Sequence, residues 1–375
     1  MRVPFNDLAR QTADFGPALE AAFRRVTARG RFLMGPEQQE FEAAFARWCG
    51  VERALGVGSG TDALELTFRA LQLEPGARVA TVANAGMYGA TAILAAGLRP
   101  VFVEADPLRA TMDPAALQAA LERGCSAVLV THLYGRLADV ERIVALARAA
   151  GAPLIEDCAQ AHGAERDGKR AGSWGIAGCF SFYPTKNLGA LGDGGAVVTS
   201  DGELAERLWR LRQYGWGRKY FAELGGGRNS RLDELQAAFL LAKLPRLAAL
   251  NDRRRAIARR YNAAFARLGL TLPPDPGLDD IAHLYVLRTP RRDALQAALE
   301  ARGVGCDVHY PTPDHRQPAV EQALGRLPAM PIAERCCAES LSLPCFPEMT
   351  EAEIEHVVAA VREAAERLDL GRQPR

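Results

Sequence analysis

The residues best placed for covalent chemistry lie between Cys179 and Thr199, in the order Cys-Phe-Ser-Phe-Tyr-Pro-Thr-Lys-Asn-Leu-Gly-Ala-Leu-Gly-Asp-Gly-Gly-Ala-Val-Val-Thr. The apolar run Cys179 to Tyr183 meets Pro184, which ends a strand and starts a loop. Lys186 sits in that loop. Glycines at 189, 192, 194 and 195 precede a second β-branched run, Ala196 to Thr199, read as the next strand. This order gathers the hydroxyls of Ser181 and Thr185 and the amine of Lys186 at one strand end, beside backbone able to approach a ligand closely. Such an amine can condense with a carbonyl to form an imine.

Lysine is scarce here, occurring only at 169, 186, 219 and 243. Lys169 in a polar turn and Lys243 near the end of a helical run read as surface residues, and Lys219 follows Trp216-Gly217-Arg218. Lys186 alone is flanked by strand, hydroxyls and glycines.

If Lys186 carries pyridoxal phosphate, three further demands follow. The phosphate needs amides and hydroxyls, which Gly60, Thr61 and Ser181 offer. The pyridine nitrogen needs a carboxylate that keeps it protonated; Asp157, ending Pro153-Leu-Ile-Glu-Asp157, is the candidate, its other reading being a helix N-cap. Gln160 is placed to hydrogen-bond the ring's phenolic oxygen. Rival chemistries lack their patterns. The six histidines (132, 162, 283, 309, 315, 356) show no metal-binding spacing, so no metal is expected. No G-x-S-x-G elbow occurs, Gly58-Ser59-Gly60 is too short for a Walker loop, and Ala63 stands where a dinucleotide fingerprint needs its third glycine.

Alternating strands and helices must position these groups. Leu19, Phe23 and Val26 mark an amphipathic helix ending at Gly30, and a second helix runs from near Pro36 to Trp48. Strand 54–57 enters Gly58-Ser-Gly-Thr-Asp62, a small-residue turn whose orphan amides open a helix to about Leu71. Strands are expected at 79–83, 101–104, 127–131 and 153–156, with helices at 88–96, 114–122, 139–150 and 201–214. This alternation defines an α/β domain on a mostly parallel sheet, whose strand ends collect ligands. The turn at 58–61, Asn84 to Tyr88, Asp157 to His162 and the Lys186 loop share that edge.

A Gly- and Arg-rich stretch, Tyr214 to Arg231, leads into a helical run from Leu232 to Arg267 broken at Pro245. Within it, Asp252-Arg-Arg-Arg255 reads as a solvated helix face. The division expected is residues 1–245, an N-terminal arm and a large domain, and 246–375, a smaller domain. The latter should contain a strand at 283–288, a helix at 291–302, a strand at 304–309, a Pro- and His-bearing loop to Pro318 and a closing helix at 351–368.

Composition narrows the functional classes. With 375 residues, 46 basic and 45 acidic side chains, the chain has a net charge of +1 and no field suited to nucleic acid. Its eight cysteines lack a C-x-x-C pair and lie mostly in apolar runs, as in a reduced cytoplasmic protein. No signal core or membrane-length apolar window appears, so no membrane partner is expected.

Taken together and in order, these motifs resemble the DegT/DnrJ/EryC1/StrS family of sugar aminotransferases, pyridoxal-phosphate enzymes of fold type I. The likeness rests on Gly58-Ser-Gly-Thr-Asp-Ala-Leu64, Pro100-Val-Phe-Val-Glu104, Glu156-Asp-Cys-Ala-Gln-Ala-His-Gly163, Ser181-Phe-Tyr-Pro-Thr-Lys-Asn187 and Gly192-Asp-Gly-Gly195. It continues through Asn229-Ser-Arg-Leu-Asp-Glu-Leu-Gln236, His309-Tyr-Pro-Thr-Pro-Asp-His315, Gln317-Pro-Ala319 and Leu341-Ser-Leu-Pro344. It implies a large domain with a mostly parallel seven-stranded sheet between helices and a smaller α+β C-terminal domain.

The resemblance also implies roles. Lys186 matches the imine lysine, Asp157 the partner of the pyridine nitrogen, Gln160 the residue near the phenolic oxygen, and Ser59, Gly60, Thr61 and Ser181 the phosphate positions. Asn229 matches an asparagine that reaches the cofactor phosphate of the neighbouring subunit, which implies a homodimer with shared active sites. Tyr88 or Met87 falls where members place a ring over the cofactor. Substrate contacts are expected at Tyr183, Arg231, His309, Tyr310 and His315, with Arg228, Arg231 and Arg316 available to a nucleotide diphosphate.

The implied reaction moves an amine from L-glutamate to a keto-sugar. A dTDP-linked 3-keto-6-deoxyhexose comes first, then a UDP-linked 3-keto-sugar, a 4-keto-sugar or a cyclitol ketone. Outside enzymes, the alternative is a ligand-sensing regulator that retains the fold.

Overall fold

The computed structural model describes residues 1–370. Seven strands form the central sheet in the order Arg53–Val57, Gly195–Thr199, Ala177–Ser181, Leu154–Asp157, Ala127–Thr131, Arg78–Val82 and Arg99–Val103. Only Gly195–Thr199 runs against its neighbours; the other pairings away from it are parallel. Strands such as Ala127–Thr131 are buried at every residue, as expected where helices cover both faces. The carboxyl ends of the parallel strands therefore open on one edge.

The helices fall where apolar periodicity puts them: Tyr88–Ala95, Pro114–Glu122 and Val140–Ala149 cross between strands of the sheet, and Gly202–Leu211 follows its last strand in the chain. Pro245 separates Glu234–Lys243 from the nineteen-residue helix Leu247–Phe265, with a short 3₁₀ turn between. This long helix joins two cores. Its start packs with Phe41, Phe45 and Phe182, whereas Ile257, Tyr261 and Phe265 pack with Tyr285, Leu341 and Val357. Val3 belongs to the second core, so the amino-terminal arm lies against the carboxyl-terminal part of the chain.

Three expectations change. The strand expected through Tyr183 stops at Ser181, because Phe182 already bonds Gly194 and Ala190 in closing the Lys186 loop. Residues 304–309 make two isolated pairings, Val304 with Val3 and Asp307 with Ser342, in place of a regular strand. A Cβ at Gly305 would stand 2.8 Å from the Phe5 amide, so the arm occupies the space beside it. Third, Arg254 and Arg255 are buried, so that only Asp252 and the partly exposed Arg253 of that quartet keep the solvated character expected of the whole face.

Candidate active site

The strand edge and the second core enclose a cleft of about 590 Å³. Ser59, Gly60 and Thr61 line one end, where the strand Arg53–Val57 turns into the helix Gly60–Ala70. The Ser59 hydroxyl accepts from the Asp62 amide at 3.1 Å, which leaves earlier amides of the turn without helical partners. Ser181 stands against Gly60 so closely that a Cβ on that glycine would lie 2.6 Å from the Ser181 Cβ. Glycine at 60 is thus a requirement of packing.

Lys186 and Asp157 line the same cleft. The loop holding Lys186 is drawn tight by hydrogen bonds from Phe182 to Gly194, Lys186 to Tyr183 and Ala190 to Phe182, each 2.8 Å between backbone atoms. Burial pushes the Lys186 amine down to about 8, against the opposing attraction of Asp157. Burial likewise raises the Asp157 carboxyl, partly countered by the Ala159 amide at 3.1 Å and by the Lys186 charge. Both groups are therefore held closer to neutrality than in water.

The carboxylate before Asp157 has a different task. Glu156 accepts from the amides of Gly172 (2.9 Å), Trp174 (2.7 Å) and Gly175 (2.8 Å) and meets His132 Nε2 at 2.9 Å. The Ala138 amide donates to His132 Nδ1, so its hydrogen sits on Nε2 and points to Glu156. His132, Glu156 and Cys158 come close enough together to resemble a metal triad. These hydrogen bonds already give His132 and Glu156 a structural role in fastening the loop behind Asp157.

Gln160 bridges the two sides of the cleft: Oε1 accepts from the Tyr134 amide at 2.6 Å, and Nε2 donates to the Tyr310 hydroxyl at 2.9 Å. Tyr310 lies edge-on to Tyr88, with ring centroids 6.0 Å apart at 71°. Tyr88 lines the cleft and is half exposed; Met87 is absent from its wall. Tyr183, His309 and Tyr310 also line it, His309 being fixed by Ser342 Oγ at 2.9 Å and stacked on Phe5 at 5.7 Å.

Other expected residues lie elsewhere. Asn229 is exposed and outside its own chain's cleft, between two anchored neighbours. Arg228 pairs with Asp62 at 3.0 Å and Glu65 at 2.7 Å, while the Ser230 hydroxyl accepts from the Gly58 amide and donates to Asp62. Arg231 is half-buried, 6.0 Å from the Tyr214 ring. His315 is fully enclosed away from the cleft, with Nε2 on Glu334 at 2.9 Å. Arg316 is held by the same carboxylate and by the Leu327 carbonyl. Two of the three arginines offered for a diphosphate are therefore already paired.

Sequence reasoning passed over Phe5, Asn6, Arg254 and His283, all of which line the cleft. Arg254 donates to the carbonyls of His283 and Cys345. Asp314 is another omission: its Oδ1 accepts from the amides of Gly86 (3.1 Å) and Met87 (3.0 Å), fastening the turn that carries Tyr88. Lys243, expected at the surface, is buried and donates to the Gly189 carbonyl at 2.8 Å and to Gln11 at 3.2 Å. The helix Leu8–Asp14 brings Gln11 there.

A parallel sheet with one reversed strand, and an amine facing a buried carboxylate at its carboxyl edge, define a transferase of the pyridoxal-phosphate-dependent fold type I. The model of the DegT/DnrJ/EryC1/StrS aminotransferase family matches residues 15–362, and the chain belongs to that family. Its relatives include the dTDP-3-amino-3,4,6-trideoxy-alpha-D-glucose transaminase of Streptomyces venezuelae, 44% identical over 98% of this chain and 97% of the relative. The erythromycin biosynthesis sensory transduction protein EryC1 of Saccharopolyspora erythraea is also 44% identical, over 97% of this chain and 100% of its own. Among solved structures, S. venezuelae DesV in complex with ketimine intermediate superposes with a TM-score of 0.94 at 43% identity, covering 98% of this chain and 99% of that one.

Proposed function

We propose that the chain transfers the amino group of L-glutamate to a nucleotide-linked keto-sugar, a dTDP-3-keto-6-deoxyhexose first among the candidates, with pyridoxal 5′-phosphate held in the cleft. The observation that carries this reading is the joint placement of Lys186 and Asp157 in one cavity that ends on a helix N-terminus. The residues suit the cofactor. Free amides at Gly60 and Thr61, with the Ser181 hydroxyl, match a phosphate. A cation beside the buried Asp157 carboxylate would favour its ionised form. The cofactor supplies an electron sink to the carbon being aminated.

Each side chain then has a task. Lys186, with its amine lowered to about 8, is near the balance that lets one group both take and return a proton at neutral pH. Asp157 holds its partner's charge, and Gln160 with Tyr310 closes the ring side of the cleft. Tyr88 covers the cofactor face in this reading. Tyr183 and His309 meet the substrate, which the paired Arg228 and Arg316 do not. Two further parts of the reading are the division near residue 245 into a cofactor-binding and a smaller domain, and a homodimer in which Asn229 completes the neighbour's phosphate site. Tyr220 and Phe221, 79% and 50% exposed near that loop, support such a contact. Among the described residues no helix is long and apolar enough to cross a membrane.

The test is amine transfer from glutamate to a panel of dTDP- and UDP-linked 3-keto- and 4-keto-sugars and cyclitol ketones. Turnover of a dTDP-3-keto-sugar above the others supports the ranking; preference for a UDP sugar or a cyclitol replaces it. The name of the S. erythraea relative raises a regulatory reading. Cofactor binding without transfer to any ketone would favour that reading.

A further inference from the structure

Behind the Lys186 loop runs a chain of hydrogen bonds whose direction is set at one end by the backbone. The His162 carbonyl can only accept, and Asn251 Nδ2 donates to it at 2.8 Å, so Asn251 Oδ1 faces Asn187. Asn187 Nδ2 donates to that oxygen at 2.7 Å, which leaves Asn187 Oδ1 opposite His283 Nδ1 at 2.8 Å. A ring nitrogen facing an obligate acceptor carries the hydrogen. All four residues are buried, with no more than 6% of any of them exposed.

The second ring nitrogen is therefore the chemically open one. His283 lines the cleft, and among the described residues its Nε2 makes no hydrogen bond to the protein. Burial first, then the charges of Lys186 and Arg254 and the nearby rings of His162 and His309, keep the imidazole from taking a second proton. Arg254 also bonds the His283 carbonyl at 3.2 Å. No carboxylate among the described residues bonds the ring to oppose them. Nε2 thus presents a bare lone pair to the ligand space.

We propose that His283 is a specificity-determining residue: a hydrogen-bond acceptor of fixed tautomer whose Nε2 receives an O–H of the sugar ring. This rests on the sugar reading given above. A bare acceptor disfavours the carboxylates of glutamate and selects a ligand rich in hydroxyl donors. Asn187, next to Lys186, links that selection to the catalytic loop.

His283→Asn retains an N–H for Asn187 and, being shorter, leaves no acceptor at the position of Nε2. The expected result is that the sugar half-reaction loses about five- to tenfold more kcat/KM than the glutamate half-reaction, the worth of one neutral hydrogen bond. Equal loss in both halves, or a larger loss with glutamate, overturns the proposal. ¹⁵N spectra of the wild-type holoenzyme labelled at histidine supply a readout free of folding effects. The His283 signal, assigned by its loss in His283→Asn, should be that of an Nδ1–H imidazole at neutral pH whose Nε2 shifts with sugar nucleotide and stays in place with glutamate. An Nε2–H tautomer or an imidazolium at the His283 signal contradicts the proposal. Failure of the wild type to aminate any sugar removes the functional reading and the acceptor role with it, whereas the Nδ1–H signal still reports the relay itself.

Discussion

The Lys243 ammonium donates a 2.8 Å hydrogen bond to the carbonyl of Gly189, three residues beyond Lys186 in the same loop. The contact fixes the loop from behind, because a Cβ at Gly189 would already stand 2.3 Å from the Pro184 carbonyl oxygen. A second buried amine thus supports the first.

Lys243→Met should destabilise the protein by roughly 1–3 kcal/mol at pH 7, since it strands a buried carbonyl. The pH dependence has a definite sign. Burial lowers the Lys243 amine to about 8 from an unfolded value near 10.5, so the unfolded chain binds more protons between those limits. Its contribution to stability consequently rises with pH from about 8 to about 10.5. Denaturant melts of the apo forms across that window should show wild-type stability gaining on Lys243→Met as pH rises; a gap that narrows contradicts the assignment.

Asp314→Ala removes the acceptor that holds the Gly86 and Met87 amides and should lower kcat/KM about tenfold by loosening the turn that carries Tyr88. Burial pushes the Asp314 carboxyl up to about 7. The folded state then binds more protons than the unfolded between about 4 and 7, and this residue's contribution to stability falls as pH rises through that range. Asp314→Asn keeps one acceptor oxygen and carries no charge. Thermal melts should show it gaining on the wild type from pH 4 to pH 8, and a constant difference would refute the buried-acid assignment.

Gly60→Ala places a methyl group against Ser181 at the turn read as the phosphate site. Overpacking of this kind costs about 1–3 kcal/mol, so cofactor affinity should drop roughly tenfold, measured by titrating the apo protein. Unchanged affinity would separate this turn from the phosphate.

Much of this arrangement is legible in the amino-acid order, for identifiable reasons. Glycine and proline punctuate the Lys186 loop, and continuous apolar runs mark the strands, so local rules locate Lys186, Asp157 and the turn at Ser59. Contacts made across long separations leave no local signal. Arg254 sits in a charged run indistinguishable from a solvated face until the His283 and Cys345 carbonyls close on it. Lys243 ends an ordinary helix, and only the distant Gln11 and Gly189 make it interior. His283 and Asp314 lay within recognised segments, read as a strand and a loop. Their roles depend on which amides and side chains the tertiary fold brings opposite them.

The central claim is that the Lys186 amine carries the chemistry beside Asp157. Lys186→Ala, reconstituted with pyridoxal phosphate, should lack the visible band of a lysine-bound cofactor and lose at least about a hundredfold in amine transfer from glutamate. A variant that keeps the band, or transfers the amine at the wild-type rate, would show that another group does the work.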